Sequence, residues 1–201
     1  MGGGAGYGFD ALQFLISTLI TLYALIILLR FMMQAVRADY YNPVSQFIVK
    51  ASAPVLGPLR RVIPPVGRYD IAALLVALAL MLLKLWLYRL LGIPDTVIGG
   101  YRLGIEHVWF GSLAWLAVVD LLALIINVCF FAVLIRAILT WIAPQGPNPI
   151  IEILERITAP VVNPVRRVVP LIGGIDISPL IVLIGLQVLR MLLLPPLLAL
   201  A

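Results

Sequence analysis

Residues 42–71 read NPVSQFIVKASAPVLGPLRRVIPPVGRYDI, and residues 148–177 read NPIIEILERITAPVVNPVRRVVPLIGGIDI. Laid over each other without a gap, the two stretches agree at 13 of 30 positions. Asn42-Pro43 falls on Asn148-Pro149, Pro54 on Pro160, and Pro58 on Pro164. Arg60-Arg61 falls on Arg166-Arg167, Gly67 on Gly173, and Asp70 on Asp176. The offset is 106 residues (148 less 42), and it holds outside this window, where Arg30 meets Arg136 and Lys84 meets Arg190. Ungapped agreement over such a length marks a tandem duplication.

On either side of each motif lies an apolar run. The four runs cover residues 11–33, 71–91, a stretch within 113–142, and 175–194. The chain is 63% hydrophobic and 11% charged, with a mean hydropathy of +1.14. Soluble domains carry about 25% charged residues. Crossing a bilayer takes about 20 helical residues. Lipid offers no partner to an unpaired backbone group, so each run is expected as a helix. The fold expected is an all-α membrane protein with four transmembrane helices in two tandem repeats. Each repeat is a helical hairpin with an interfacial amphipathic helix and a Pro/Arg-rich elbow. Each unit crosses twice, so the repeats are parallel rather than inverted. The divisions are a flexible tail at 1–10, a first repeat at 11–91, a link at 92–112 and a second repeat at 113–201. The link holds Gly, Pro and the interfacial aromatics Tyr101, Trp109 and Phe110.

Charge sets the expected orientation. Ten of the fourteen Lys and Arg residues lie in the two motifs and the helix ends beside them. Only Arg102 sits in the opposite loop, with Lys84, Arg89 and Arg190 in the helix halves facing it. The positive-inside rule places both motifs in the cytoplasm and both termini in the periplasm of a bacterial inner membrane. The net charge of +5 then points to anionic lipid headgroups rather than nucleic acid. The first ten residues lack Lys and Arg, so they do not start like a signal peptide. Gly6 stands where a myristoylation signal needs Ser or Thr. Cys129 is the single cysteine, which excludes an intramolecular disulfide.

Within each motif the residue types suggest roles. Asn42 and Asn148 are expected to cap short amphipathic helices, with Pro43 and Pro149 at the first helical position. Residues 150–157 space their apolar side chains by three and four, with Glu152, Glu155 and Arg156 opposite. Such helices lie in the interface. Pro54 and Pro160 are expected to end them. Adjacent residues on a helix point about 100° apart, so the two Arg of each pair take different roles. One of Arg60/Arg61, and one of Arg166/Arg167, faces lipid phosphate or a partner protein. The other pairs with Asp70 or Asp176, or with helix-end carbonyls. The plainer reading is that these cations only fix topology. Asp70 and Asp176 precede the second helix of each unit and are expected as caps.

Lys84 and Arg190 lie deep in their spans, where a charge costs roughly 2.5–3.5 kcal/mol on insertion scales. Asp120 enters from the third span and is expected within salt-bridge reach of one of them. A polar path for an ion and snorkelling to the headgroups are the alternatives. His107 in the link is read as an interfacial residue. With no second His, no Ser–His–acid set and no phosphate-cradling Gly loop, no catalytic, metal or cofactor site is expected.

The duplicated Asn-Pro…Pro-x-x-x-Pro-x-Arg-Arg-Val-x-Pro…Gly-x-x-Asp pattern resembles the YggT family of bacterial membrane proteins, called YlmG in Gram-positive bacteria, cyanobacteria and plastids. The likeness covers nearly the whole chain and is to the two-unit, proteobacterial form. The first copy departs from it, with Asp70-Ile71-Ala72-Ala73 where the second has Asp176-Ile177-Ser178-Pro179. The resemblance implies links to cell division, nucleoid or thylakoid organisation, osmotic-stress tolerance, or assembly of a haem protein, and it supplies no catalytic residues. The expectation is a non-enzymatic membrane organiser or assembly factor, acting through basic faces on lipid, a membrane-protein partner or a second copy of itself, with Arg60, Arg61, Arg166 and Arg167 as the principal contacts. The alternative is a small oligomeric channel or transport component.

Overall fold

The computed structural model describes residues 3–40, 42–105, 108–142, 149–169 and 176–201. Six helices and one β-hairpin are present among them: α1 (Gly3–Ala35), α2 (Pro43–Val62), α3 (Ile71–Leu90), β1 (Asp95–Ile98), β2 (Tyr101–Gly104), α4 (Phe110–Ile142), α5 (Pro149–Arg166) and α6 (Ser178–Leu198). Four helices are long and apolar enough to cross a membrane, over Gly8–Ala35, Ile71–Leu90, Phe110–Thr140 and Ser178–Leu198. They pack as a row, α1 on α3, α3 on α4, and α4 on α6. The amphipathic α2 leans on α1 and α3, and α5 leans on α4 and α6. We call the end that carries α2 and α5 the motif end, and the other the link end.

Small side chains let the helices approach. Ala24, Ala73, Ala77 and Ala117 are fully buried where α1, α3 and α4 meet, with Ile27, Met81, Leu85 and Leu116 filling the space between. Lipid removes the hydrophobic drive between helices, so such close contact and dispersion carry their association. At the motif end, Met33, Ile48, Ala132, Ile153 and Ile157 draw α1, α2, α4 and α5 together across the repeat boundary.

Three features differ from the sequence expectation. Helix α1 reaches back to Gly3, into the stretch expected as a tail. An existing helix extends one hydrogen bond per residue fixed, whereas starting one is costly, so the apolar span carries its N-terminal extension. Neither Pro54 nor Pro160 ends its helix. Pro54 and Pro58 lie inside α2, and Pro160 and Pro164 inside α5. A proline withdraws a donor from the helical ladder. Side chains add hydrogen bonds in the turn before the first proline: Ser52 Oγ donates to Ile48 O at 2.6 Å and Arg30 Nη1 to Val49 O at 3.0 Å. In α5, Thr158 Oγ1 donates to Leu154 O at 2.7 Å.

The third difference is the link, which forms an antiparallel hairpin pairing Asp95 with Gly104 and Ile98 with Tyr101. Gly99 and Gly100 make the two-residue turn at φ +57° and +89°, the left-handed pair that such a tight hairpin requires. Thr96, Ile98 and Ile105 are buried, and a side chain on Gly99 would run into Leu194 of α6 and touch Ala123 of α4. The tip is thus wedged between two spanning helices. Non-helical backbone is tolerated at that depth where protein encloses it.

Candidate functional site

Each repeat builds the same two polar clamps at the motif end. The first joins the opening span to the amphipathic helix. Arg30 Nη1 donates to Ser52 Oγ at 2.6 Å, and Arg136 Nη1 donates to Thr158 Oγ1 at 3.0 Å. Both Arg side chains are buried, and Arg136 also reaches Glu155 at 3.3 Å. An Arg buried near a helix end is affordable when its donors are met. Sequence reasoning placed Arg30 and Arg136 only as charges in register and missed Ser52 and Thr158. The signal was present, because a hydroxyl residue recurs at the 106-residue offset.

The second clamp joins the end of the amphipathic helix to the start of the next span. Arg60 donates through Nε to Asp70 Oδ2 at 3.0 Å and pairs with the same oxygen through Nη2. Arg166 repeats this on Asp176, with Nε at 2.9 Å and Nη2 at 2.6 Å. Asp70 Oδ1 also accepts the Ala73 N–H at 3.3 Å as the cap of α3. Asp176 sits one residue ahead of the cap position of α6 and accepts the Ser178 N–H at 2.9 Å. Burial works against ionising Asp176, but hydrogen bonds from Ser178 and from the Arg166 guanidinium outweigh it. Its pKa falls below the usual carboxylate value.

These clamps divide each Arg pair. Arg60 and Arg166 point to the carboxylates, while Arg61 and Arg167 are exposed. Arg68 is exposed as well and lies over the Tyr69 ring at 5.1 Å. Asn42 caps α2, with Oδ1 accepting the Val44 N–H at 2.9 Å, and Nδ2 donates to Pro149 O at 2.7 Å across the repeats. Asn148 and His107 lie outside the described residues.

Nearer the link end, Lys84 Nζ stands 2.5 Å from Asp120 Oδ2, and both side chains are buried. Arg190, the counterpart of Lys84 in the second repeat, has a different partner. Its Nε donates to the Gly99 carbonyl at 2.9 Å, and Nη1 reaches Asn127 Oδ1 at 3.4 Å. The structure therefore brings Asp120 to Lys84 and leaves Arg190 to the hairpin tip. Among the described residues, no group of three or more His, Cys, Asp and Glu side chains is placed to hold a metal ion.

The fold and its paired clamps define a duplicated two-span membrane protein with a Pro/Arg elbow in each half. The family model described as CCB3/YggT matches residues 9–91 and again residues 115–197. The chain belongs to the CCB3/YggT family. It is 42% identical over 178 residues to the "Uncharacterized protein in proC 3'region" of Vibrio alginolyticus, covering 89% of this chain and 90% of the relative. It is 40% identical over 184 residues to the "Uncharacterized protein YggT" of Escherichia coli (strain K12), covering 90% and 88%. No solved structure matches the chain.

Proposed function

We propose that the protein is a non-enzymatic organiser or assembly factor of the bacterial inner membrane. Its motif ends lie in the cytoplasm and its termini in the periplasm. In this reading the two elbows are rigid mounts, each holding one cation out toward anionic headgroups and a membrane-protein partner. The observation that carries it is that both Arg pairs divide alike by partner, although Arg166 is more exposed than Arg60. Arg60 and Arg166 are spent on Asp70 and Asp176, while Arg61 and Arg167 stay exposed. A pair that served only to fix topology needs no such division, because the positive-inside rule counts charges without regard to where they point. Proline in each elbow helix and a carboxylate clamp behind it restrict the outward cation, so less freedom is lost when it binds.

The processes such a scaffold serves are membrane-bound complex assembly, cell division and tolerance of osmotic stress. The test is crosslinking in intact cells followed by capture of the full chain. Arg61→Ala with Arg167→Ala abolishes the captured partners while leaving both clamps in place. Retention of every partner by that double variant removes the mechanism.

A further inference from the structure

The two repeats part company where the opening span meets the elbow. In the first repeat Phe31 stacks on Tyr69, with ring centroids 6.4 Å apart, and Gln34 Oε1 accepts from Arg60 Nη2 at 3.0 Å. One register further, Phe31 becomes Ala137 and Gln34 becomes Thr140. The Thr140 hydroxyl donates to the Ala137 carbonyl at 2.7 Å, a bond within its own helix. The second clamp is correspondingly open. The Asp176 side chain is 26% exposed against 0% for Asp70, and Arg166 is 46% exposed against 26% for Arg60.

The space freed is a groove of about 740 Å³ between the end of α4 and the start of α6. Leu134, Ala137, Leu180 and Leu183 wall it, and Arg166 and Asp176 stand on its lining toward the motif end. It has the volume of an ordinary small-molecule site, which runs from about 300 to 1,000 Å³. Its apolar wall runs along α4 and α6, and its polar groups include Arg166 at the end of α5 and Asp176 just ahead of α6. Arg166 gives Nε and one Nη2 hydrogen to Asp176, so its second Nη2 hydrogen, the one that Arg60 gives to Gln34, remains for another acceptor, as do its Nη1 donors.

We propose that this groove holds one phospholipid of the surrounding leaflet. An acyl chain lies against Ala137, Leu180 and Leu183, and a phosphate oxygen takes on Arg166 the acceptor place that the Gln34 amide oxygen takes on Arg60. In the first repeat the corresponding positions are taken by Phe31, stacked on Tyr69, and Gln34, bonded to Arg60. Planar guanidinium donors suit phosphate oxygens, and the apolar wall requires the chains that a free headgroup lacks. The assignment rests on the elbows lying at a headgroup plane.

Native mass spectrometry of the full chain tests it, with dioleoyl phosphatidylglycerol and, separately, its deacylated headgroup as probes. The protein retains one lipid and does not retain the headgroup. Ala137→Phe with Thr140→Gln weakens lipid binding at least tenfold. Phe31→Ala with Gln34→Thr creates a second site of similar affinity. Unchanged lipid binding in the filled variant, no gain in the opened variant, or headgroup binding as tight as the lipid's overturns the proposal. The Arg61→Ala, Arg167→Ala variant keeps this lipid, so the partner reading and the lipid site fail separately.

Discussion

Lys84 of α3 and Asp120 of α4 form a buried ion pair that ties the first repeat to the second. Its register counterpart does not exist, because residue 14 is Phe where residue 120 is Asp, and Arg190 turns to the hairpin instead. The pair therefore fixes which face of the first repeat meets the second. Removing one partner leaves a charge buried alone, at about 3–5 kcal/mol. Asp120→Ala accordingly lowers the thermal midpoint of the purified protein strongly. Lys84→Met combined with Asp120→Leu recovers most of the loss. An equal loss in single and double variants, measured by thermal unfolding in detergent, contradicts this role.

The same pair bears on transport. Both side chains are enclosed and pair with each other, and Arg190 at the matching register position is held by the Gly99 carbonyl. Purified protein in liposomes is expected to pass no ion current, and Lys84→Leu is expected to leave that unchanged. Current through the wild-type chain that Lys84→Leu alters would favour the channel reading.

The Arg136–Thr158 clamp is buried on both sides. Thr158→Val keeps the shape and removes the acceptor, so an Arg donor is left unmet inside the protein. The cost expected is about 1–3 kcal/mol, and Ser52→Ala on the Arg30 clamp goes the same way. Thermal unfolding of the two variants checks this. No change in either would mean that the hydroxyls are incidental.

Acid acts on the second elbow through Asp176. Its folded pKa is depressed, so the folded state holds the proton less tightly than the unfolded chain does. The stabilisation is fully present above the unfolded value of about 3.9. It is lost as pH falls from there through the folded pKa. Chemical unfolding between pH 7 and pH 2 is expected to show this loss, and Asp176→Asn is expected to shrink it. An unchanged pH profile in Asp176→Asn would assign the acid response to other carboxylates.

At the hairpin tip, Gly99→Ala puts a side chain into Leu194 from a left-handed backbone, and Gly100→Ala meets the Arg190 guanidinium. Left-handed backbone alone costs an L-residue roughly 1–2 kcal/mol. Both variants are expected to unfold earlier than wild type, with Gly99→Ala the worse. The reverse order, read from thermal midpoints, would mean that the tip is not wedged between α4 and α6.

The spans, the duplication and the division of each Arg pair were legible because they depend on length, hydropathy and spacing. Which Arg faces Asp70 was not, because helix geometry separates the pair without saying how α2 is turned. The hairpin was missed although Thr-Val-Ile-Gly-Gly-Tyr-Arg-Leu carries its signal, two β-prone runs around Gly-Gly. Its short strands were read only as a link of Gly, Pro and interfacial aromatics, because the place of the tip is set by α4 and α6. Pro54 and Pro160 were misjudged for a related reason. Tertiary packing carries most of a helix's stability, and α2 and α5 are held through their prolines by the helices they lean on, α1 and α3 for α2 and α4 and α6 for α5. The groove near Ala137 appears only when both repeats are seen folded, since an Ala is uninformative until Phe31 shows what it replaces.

The account stands on two like hairpins presenting their elbows on one side of a bilayer. Single cysteines placed by Arg61→Cys and, separately, Arg167→Cys in a Cys129→Ala background test this with a membrane-impermeant thiol reagent. The account predicts that both react in inverted inner-membrane vesicles and neither in intact spheroplasts. Reaction of one cysteine from each side contradicts it.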